Sequence, residues 1–424
     1  MNIRLNAHLN HGFRRNIAST SAALAKIPGK PVDQEFDRCS RSDSAAFRTK
    51  RSGRRLAVCR RVALGFCTLW LFLLGGSQSF AAPVEVTNFG TNPGHLRMFK
   101  YVPSGLPASS PLVVVLHGCT QNARDYAAQS GWIELADSLK LALAVPEQSQ
   151  SNNPRSCFNW FVVGHNRRGQ GEALSIKQMV DQMKADHGID PGRVFVTGLS
   201  AGGAMTSVML ATYPEVFAGG GIVAGLPYGC ANDPTPFMPM QALQCMSSGH
   251  PASLAGPSGL PGMSTGFSPF MFPLPPGVCQ LFPLPICPSG TSAANGFTAS
   301  ELGDFVRQAS SHNGPFPKVS IWHGSSDPTV SPVNASEEML QWTNVHGVKA
   351  EPAVSDAVNG FPHHVFKNAA GKAVVETFSI TGMGHGDPVD PGTGPNQCGT
   401  AAPFILDTNI CASMFIAKFW GLAP

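Results

Sequence analysis

The chain has no Cys-x-x-Cys pair and no cluster of cysteine with histidine, which removes the usual framework of a zinc site. It has no internal repeat, so a solenoid or propeller is excluded. The apolar stretch 62–74 is short for a membrane span. A basic working domain is absent too, although the formal charge of +4 conceals this. Residues 1–81 hold 14 of the 30 Lys/Arg and four of the 26 Asp/Glu, leaving 16 basic and 22 acidic residues beyond them, a net charge of −6. No nucleic-acid partner follows from that balance. No cofactor and no stable membrane partner are implied, and the oligomeric state is not legible.

What is present begins with a leader. Residues 1–50 are polar and rich in Ser and Arg, 51–61 are basic, and 62–74 are apolar. Ser79-Phe80-Ala81-Ala82-Pro83 then offers small residues for cleavage. Charged, apolar and small-residue segments in that order read as a secretory signal, with a mature start near Ala82 and an extracellular or periplasmic protein. A retained membrane anchor is the alternative. Eight of the 11 cysteines lie beyond the leader, an even number that favours disulfides in an exported chain. Local pairs are expected, Cys398 with Cys411 and Cys279 with Cys287.

Past the leader, strand-like and helix-like segments alternate. The runs 84–88, 96–102, 111–116, 141–145, 194–197, 219–224, 318–322 and 374–380 read as strands. Helical spacing is expected over 123–139, 172–187, 300–311, 332–345 and 411–420. The run 111–116 is apolar throughout, as in a strand covered on both faces. The alternation predicts an α/β-hydrolase-like fold, a mostly parallel, doubly wound sheet in a single domain over 82–424. The segment 151–161 reads as a loop with exposed aromatics. Residues 249–290 are dense in Pro, Gly, Phe and Leu, which excludes regular structure there. They are an insertion, either a surface loop or an apolar flap near the site.

The chemistry centres on Gly198-Leu199-Ser200-Ala201-Gly202, between an apolar β-branched run and a run of small helix formers. Strand, sharp turn and helix in that order present a serine oxygen above a sheet edge, and small residues at 198 and 202 make room for the turn. A base and an acid should follow, each on a loop leaving a strand end, in the order Ser, acid, His. Asp327 follows the strand 318–322, and His385 follows 374–380 between glycines. His323 precedes the acid and breaks the order. His363 and His364 read as loop residues before a strand. Asp304 lies within a helix, and Asp387 and Asp390 read as solvated turn residues. The oxyanion hole needs two backbone donors. Ala201, directly after Ser200, supplies one, and Cys119 in the loop after 111–116 the other, with Gly118 as the fallback.

Leu116-His117-Gly118-Cys119-Thr120-Gln121, Cys157-Phe158-Asn159-Trp160-Phe161, the serine box, Ile321-Trp322-His323-Gly324 with Asp327, and Phe419-Trp420-Gly421-Leu422 resemble the catalytic domain of extracellular poly(3-hydroxybutyrate) depolymerases. The resemblance covers most of 84–422. It implies a secreted serine esterase acting on poly(3-hydroxybutyrate) or related short-chain polyesters and their oligomers through Ser200, Asp327 and His385. It also places Trp160 at the substrate groove, with a packed core aromatic as the alternative. Such depolymerases usually continue into a linker and a polymer-binding domain, whereas this sequence stops at Pro424, so weak grip on crystalline polymer is expected. The alternatives are a feruloyl or acetylxylan esterase, and a polymer-binding protein without catalysis.

Overall fold

In the computed structural model, which describes residues 82–237, 239–249 and 297–424, the strand Leu112–Leu116 shows how the layers form. Its five side chains are all fully buried, and they alternate between two cores. Leu112, Val114 and Leu116 enter one hydrophobic layer, and Val113 and Val115 enter the other. A strand apolar on both faces needs cover on both, which is the arrangement of a doubly wound sheet. The leader and nearly all of the insertion, with Cys279 and Cys287, lie outside the described residues.

The strands are β1 (Val84–Val86), β2 (Arg97–Tyr101), β3 (Leu112–Leu116), β4 (Ala142–Glu147), β5 (Val194–Leu199), β6 (Gly219–Val223), β7 (Lys318–Gly324), β8 (Val354–Val358), β9 (Phe361–Lys367) and β10 (Ala373–Ile380). They form one sheet of ten strands in the order β1-β2-β4-β3-β5-β6-β7-β10-β9-β8. From β4 to β10 every pairing is parallel. Antiparallel pairs finish both edges. A short parallel pair, β11 (Asp387–Val389) with β12 (Ile405–Asp407), stands apart.

The helices are α1 (Ala123–Gln129), α2 (Trp132–Leu139), α3 (Gly171–His187), α4 (Ala201–Thr212), α5 (Met240–Ser248), α6 (Ala299–Gln308), α7 (Val333–Val345) and α8 (Ala412–Trp420). Residues of α3, α4 and α7 pack into the layer holding Val114, and residues of α1, α2 and α8 into the layer holding Val113. Among the described residues no helix is long and apolar enough to cross a membrane.

The fold departs from the sequence expectations in three places. The helix expected over 123–139 is two helices. Gly131 breaks it with a φ of +86°, and a Cβ there would stand 2.9 Å from Cys398. His363 and His364 lie in β9 rather than in a loop. The β8–β9 hairpin turns at Asn359-Gly360, both in the left-handed region, the usual requirement of a tight two-residue hairpin turn. The aromatics of 151–161 are buried, not exposed: Phe158, Trp160 and Phe161 all join the larger core.

Three disulfides lie among the described residues: Cys119–Cys157, Cys230–Cys245 and Cys398–Cys411. The last is one of the two expected local pairs.

Candidate active site

Ser200 stands between the end of β5 and the start of α4 with φ +58° and ψ −117°. A non-glycine residue rarely holds this backbone, and such strain persists only where the surroundings enforce it. Two bonds do so: the Ser200 N–H donates to the Val223 carbonyl at 2.9 Å, and its carbonyl accepts from Ala204 N at 2.8 Å. The glycines of the motif have a steric reason. A Cβ on Gly198 would lie 2.6 Å from the Gly202 and Leu116 carbonyl oxygens, and one on Gly202 would overlap the Leu116 oxygen. The turn therefore packs backbone against backbone, and Ser200 caps a helix whose first N–H groups have no intrahelical acceptor.

Ser200, His385 and Asp327 come together from three strand ends. His385 Nε2 is 2.8 Å from Ser200 Oγ, and Nδ1 is 2.7 Å from Asp327 Oδ2. With Asp327 ionised, the proton sits on Nδ1 and Nε2 is free to accept from the serine hydroxyl. The other carboxylate oxygen accepts from Thr329 N at 2.8 Å and Val330 N at 2.9 Å. Burial pushes the Asp327 carboxyl up. Hydrogen bonds from His323 and His385, the His385 charge and the Val330 N–H outweigh it and hold the group well below the usual carboxylate range. Asp327 therefore stays charged while its imidazole partner gains a proton.

His323 is no rival base. It is buried behind the acid, with Nε2 2.9 Å from the Val330 carbonyl and 3.4 Å from Asp327 Oδ2. It braces the loop that holds Asp327.

The loop after β3 is equally well held. His117 is fully buried. Its Nδ1 lies 2.7 Å from the Gly118 carbonyl, and its Nε2 accepts from Gln148 N at 3.1 Å. Burial lowers its pKa to about 4 against the opposing pull of the Gly118 carbonyl, so the ring is neutral at pH 7 and its Nδ1–H donates. In a trans peptide N–H and C=O point in opposite directions. Fixing the Gly118 carbonyl therefore also aims the Cys119 N–H. The Gly118 N–H is already given to Gln121 Oε1 at 2.8 Å, which leaves Cys119 the better-placed donor. The Cys119–Cys157 disulfide and a 2.7 Å bond from Thr120 N to the Arg155 carbonyl tie this loop to the segment before Trp160.

That segment is anchored by Glu172, a fully buried carboxylate. It accepts from Asn159 N at 2.8 Å, Asn159 Nδ2 at 2.7 Å and Gln148 Nε2 at 2.6 Å, and lies 3.3 Å from His165 Nδ1. Trp160, the next residue, is 7% exposed and packs edge-on against Phe161 at 5.4 Å. Phe404 was not anticipated. It is 44% exposed, has a φ of +64°, and its ring lies 6.2 Å from the His385 ring. Its carbonyl accepts from Asp387 N at 2.9 Å, and the preceding Pro403 carbonyl accepts from Gln121 Nε2 at 3.4 Å.

The other candidates are engaged elsewhere. Asp387 corrects the sequence reading: it is fully buried, not a solvated turn residue, and accepts from Tyr126 Oη at 2.8 Å. Burial raises its carboxyl to about 7 against that hydrogen bond. Asp390 accepts from Gln397, and Asp304 pairs with Arg307. His363 sits between Asp356 and Glu376, and His364 meets Ser355. Among the described residues no group of three His, Cys, Asp or Glu side chains could hold a metal ion.

Known proteins of related sequence carry the same frame. A family model described as Esterase PHB depolymerase matches residues 96–257. Poly(3-hydroxyalkanoate) depolymerase C of Paucimonas lemoignei is 51% identical over 353 residues, 83% of this chain and 73% of that protein. An acetylxylan esterase of Coprinopsis cinerea is 31% identical over 312 residues, 72% of this chain and 69% of that one. Among solved structures, the acetyl xylan esterase from Aspergillus awamori superposes with a TM-score of 0.56 at 22% identity, over 81% of this chain and 100% of the other, a likeness of fold. The α/β-hydrolase fold, the matched serine-box region and the 51% identity together place this chain in the PHB depolymerase family of carboxylic ester hydrolases.

Proposed function

We propose that the chain is a secreted depolymerase that hydrolyses the ester bonds of poly(3-hydroxybutyrate), or of related short-chain polyhydroxyalkanoates and their oligomers, through Ser200, His385 and Asp327. The observation that carries the mechanism is the unbroken hydrogen-bond line from Ser200 Oγ through His385 to Asp327. The substrate reading is supported by the 51% identity to a poly(3-hydroxyalkanoate) depolymerase over most of both chains. Three disulfides support export to an oxidising compartment.

In this reading Ser200 Oγ attacks the ester carbonyl while its proton passes to His385 Nε2. Asp327 holds the ring in the tautomer that accepts that proton, and stabilises the imidazolium once formed. The carbonyl oxygen becomes an oxyanion between the N–H groups of Cys119 and Ala201. His385 then returns the proton to the departing hydroxyl end of the chain, leaving an acyl-serine. Water, deprotonated by His385, releases the acid and restores Ser200. Phe404 offers apolar surface to the chain beside the reacting ester, and Trp160, buried in the core, would back the groove from beneath.

The test pairs a soluble ester with the polymer. The purified protein should turn over p-nitrophenyl butyrate and clear a suspension of amorphous poly(3-hydroxybutyrate). Ser200→Ala, His385→Ala and Asp327→Asn should each lose several orders of magnitude while keeping the native circular dichroism spectrum. The losses should not add, because the three groups act as a unit. Turnover of acetylated xylan or methyl ferulate with no clearing of polyester would move the substrate to plant-wall esters. A folded Ser200→Ala protein with near wild-type turnover would defeat the mechanism.

A further inference from the structure

A cleft of about 560 Å³ lies at the edge of the sheet opposite Ser200. Its walls come from the N-terminal ends of the strands whose C-terminal ends carry the triad. Arg193 precedes β5, Lys318 opens β7, and Lys372 lies in the turn before β10. At ~3.3 Å per residue, β5 alone separates this end from Ser200 by roughly 20 Å. The cleft is therefore separate from the ester-cleaving site.

Its chemistry is distinct from that of the surrounding molecule. Residues 82–424 have a net charge of −6, yet the cleft is lined by Arg193, Lys318, Lys372 and His346 and by no acidic side chain. Arg193 and Lys372 have no ion-pair partner among the described residues. Lys318 donates to the Phe419 carbonyl at 2.5 Å, which satisfies one of its three N–H groups. Burial, with the nearby Lys372 charge, pushes the Lys318 ammonium down, and only Glu376 opposes this. Glu376 is already engaged with Ser320 and His363 and does not line the cleft. Burial lowers His346 against the Pro317 carbonyl bond, with a smaller push from Lys372, so the positive charge of the lining comes from Arg193, Lys318 and Lys372. Positive charge gathered in a concave lining that holds no acidic side chain favours an anion there.

Beside Asn368, part of the remaining wall is apolar. Phe195 and Trp420 stack at 4.7 Å, and Phe316, Val345 and Val374 flank them. Inorganic anions gain nothing from such surface. An acid with a short apolar body satisfies both halves, carboxylate to the cations and hydrocarbon to the aromatic wall.

We infer that this cleft is a second binding site, which takes short-chain carboxylates of the kind that each ester cleavage releases. The choice of a hydroxyacyl body rests on the proposed polyester reading, and the carboxylate preference rests on the lining alone.

The test uses the full-length protein carrying Ser200→Ala, so that an ester ligand survives the measurement. Sodium 3-hydroxybutyrate, butyrate, methyl 3-hydroxybutyrate and sulfate are titrated at low ionic strength by calorimetry and thermal shift. Both carboxylates should bind and raise the melting temperature, and the uncharged ester should bind at least about tenfold more weakly. Arg193→Ser with Lys372→Ser, both exposed positions, should weaken carboxylate binding by about tenfold or more. In the wild-type background the same pair should leave p-nitrophenyl butyrate turnover unchanged. Undiminished binding in the double variant, equal binding of ester and acid, or sulfate binding as well as the carboxylates, would each overturn the inference. Failure of the polyester reading shows separately, as a protein that cleaves esters and binds carboxylates yet never clears polymer.

Discussion

At the residue scale, the acid of the site depends on more than its imidazole partner. His323 Nε2 lies within reach of both Asp327 Oδ2 and the Val330 carbonyl, while Val330 N–H donates to the other carboxylate oxygen. The Asp327 loop is thereby closed on itself. In His323→Leu the carboxylate loses a donor that favours its charged form, so it becomes more basic and holds the protonated His385 more firmly. We expect the acid limb of the rate profile for p-nitrophenyl butyrate to move to higher pH, with kcat reduced by about tenfold and KM little changed. A fall in activity with an unmoved limb would mean that His323 only fills space. Phe404 makes a separate case. A half-exposed aromatic in a left-handed backbone, pinned beside His385, is poorly explained by packing. Its ring suits contact with an apolar polyester chain. Phe404→Ala should slow clearing of polymer several-fold more than it slows hydrolysis of the soluble ester. Equal losses on the two substrates would remove it from the groove.

At the element scale, the β5–α4 junction is the tightest piece of the molecule. Ala201–Thr212 is buried along its whole length, so the helix cannot shift outward to relieve a clash. An added Cβ at Gly202 meets the carbonyl oxygens of both Leu116 and His117. Backbone on both sides has no rotamer to change, so relief must come from displacing β3 or tilting α4. Gly202→Ala should cost about 1–3 kcal/mol of stability, by overpacking alone. It should also cut turnover out of proportion to that loss, because β3 leads into the loop of Cys119, the proposed oxyanion donor. Chemical denaturation alongside kcat checks this: unchanged values for both would show that the junction can relax. The same element logic explains the left-handed Gly131. It lets α1 and α2 fold as separate helices around the Cys398–Cys411 disulfide instead of one long helix.

At the scale of the whole molecule, buried carboxyls set how stability responds to pH. Asp387 is fully buried, and its carboxyl rises from 3.8 to about 7. Glu338 on α7 is fully buried with both oxygens unpaired, and burial raises it well above its ordinary value. A carboxyl raised in the folded state binds its proton more tightly there than in the unfolded chain. Its contribution is therefore complete below its ordinary pKa and is lost as pH rises toward the folded value. For Asp387 that window runs from about 4 to about 7, with a loss of up to roughly 4 kcal/mol across it. Asp327 acts in the opposite sense: its carboxyl is depressed, so its contribution is present above its ordinary pKa of 3.8 and fades below it. We expect a maximum in melting temperature near pH 5 and a decline toward pH 8. In Asp387→Asn, which keeps an acceptor for Tyr126, that decline should be shallower. A decline of undiminished slope would assign it to other groups.

Composition and period alone determined the architecture. The five apolar residues of β3 require cover on both faces whatever surrounds them, and alternating strand and helix signals leave little besides a parallel, doubly wound sheet. The order Ser, acid, His at three strand ends picked out Ser200, Asp327 and His385, because that chemistry requires side chains at loop tips above one sheet edge. Asn359-Gly360 was legible in principle as a hairpin turn, and would have put His363 and His364 in a strand. Other features have no local signature. Whether Asp387 is solvated depends on Tyr126, 261 positions away, and the brace on Asp327 depends on where a strand-end histidine turns its ring. Phe404 reaches His385 because the β11–β12 pair brings Asp387 under its carbonyl. The cationic cleft gathers Arg193, Lys318 and Lys372 from starts of strands scattered through the sequence. Burial and charge at such points are sums over neighbours that only the folded chain assembles, so tertiary structure alone decided them.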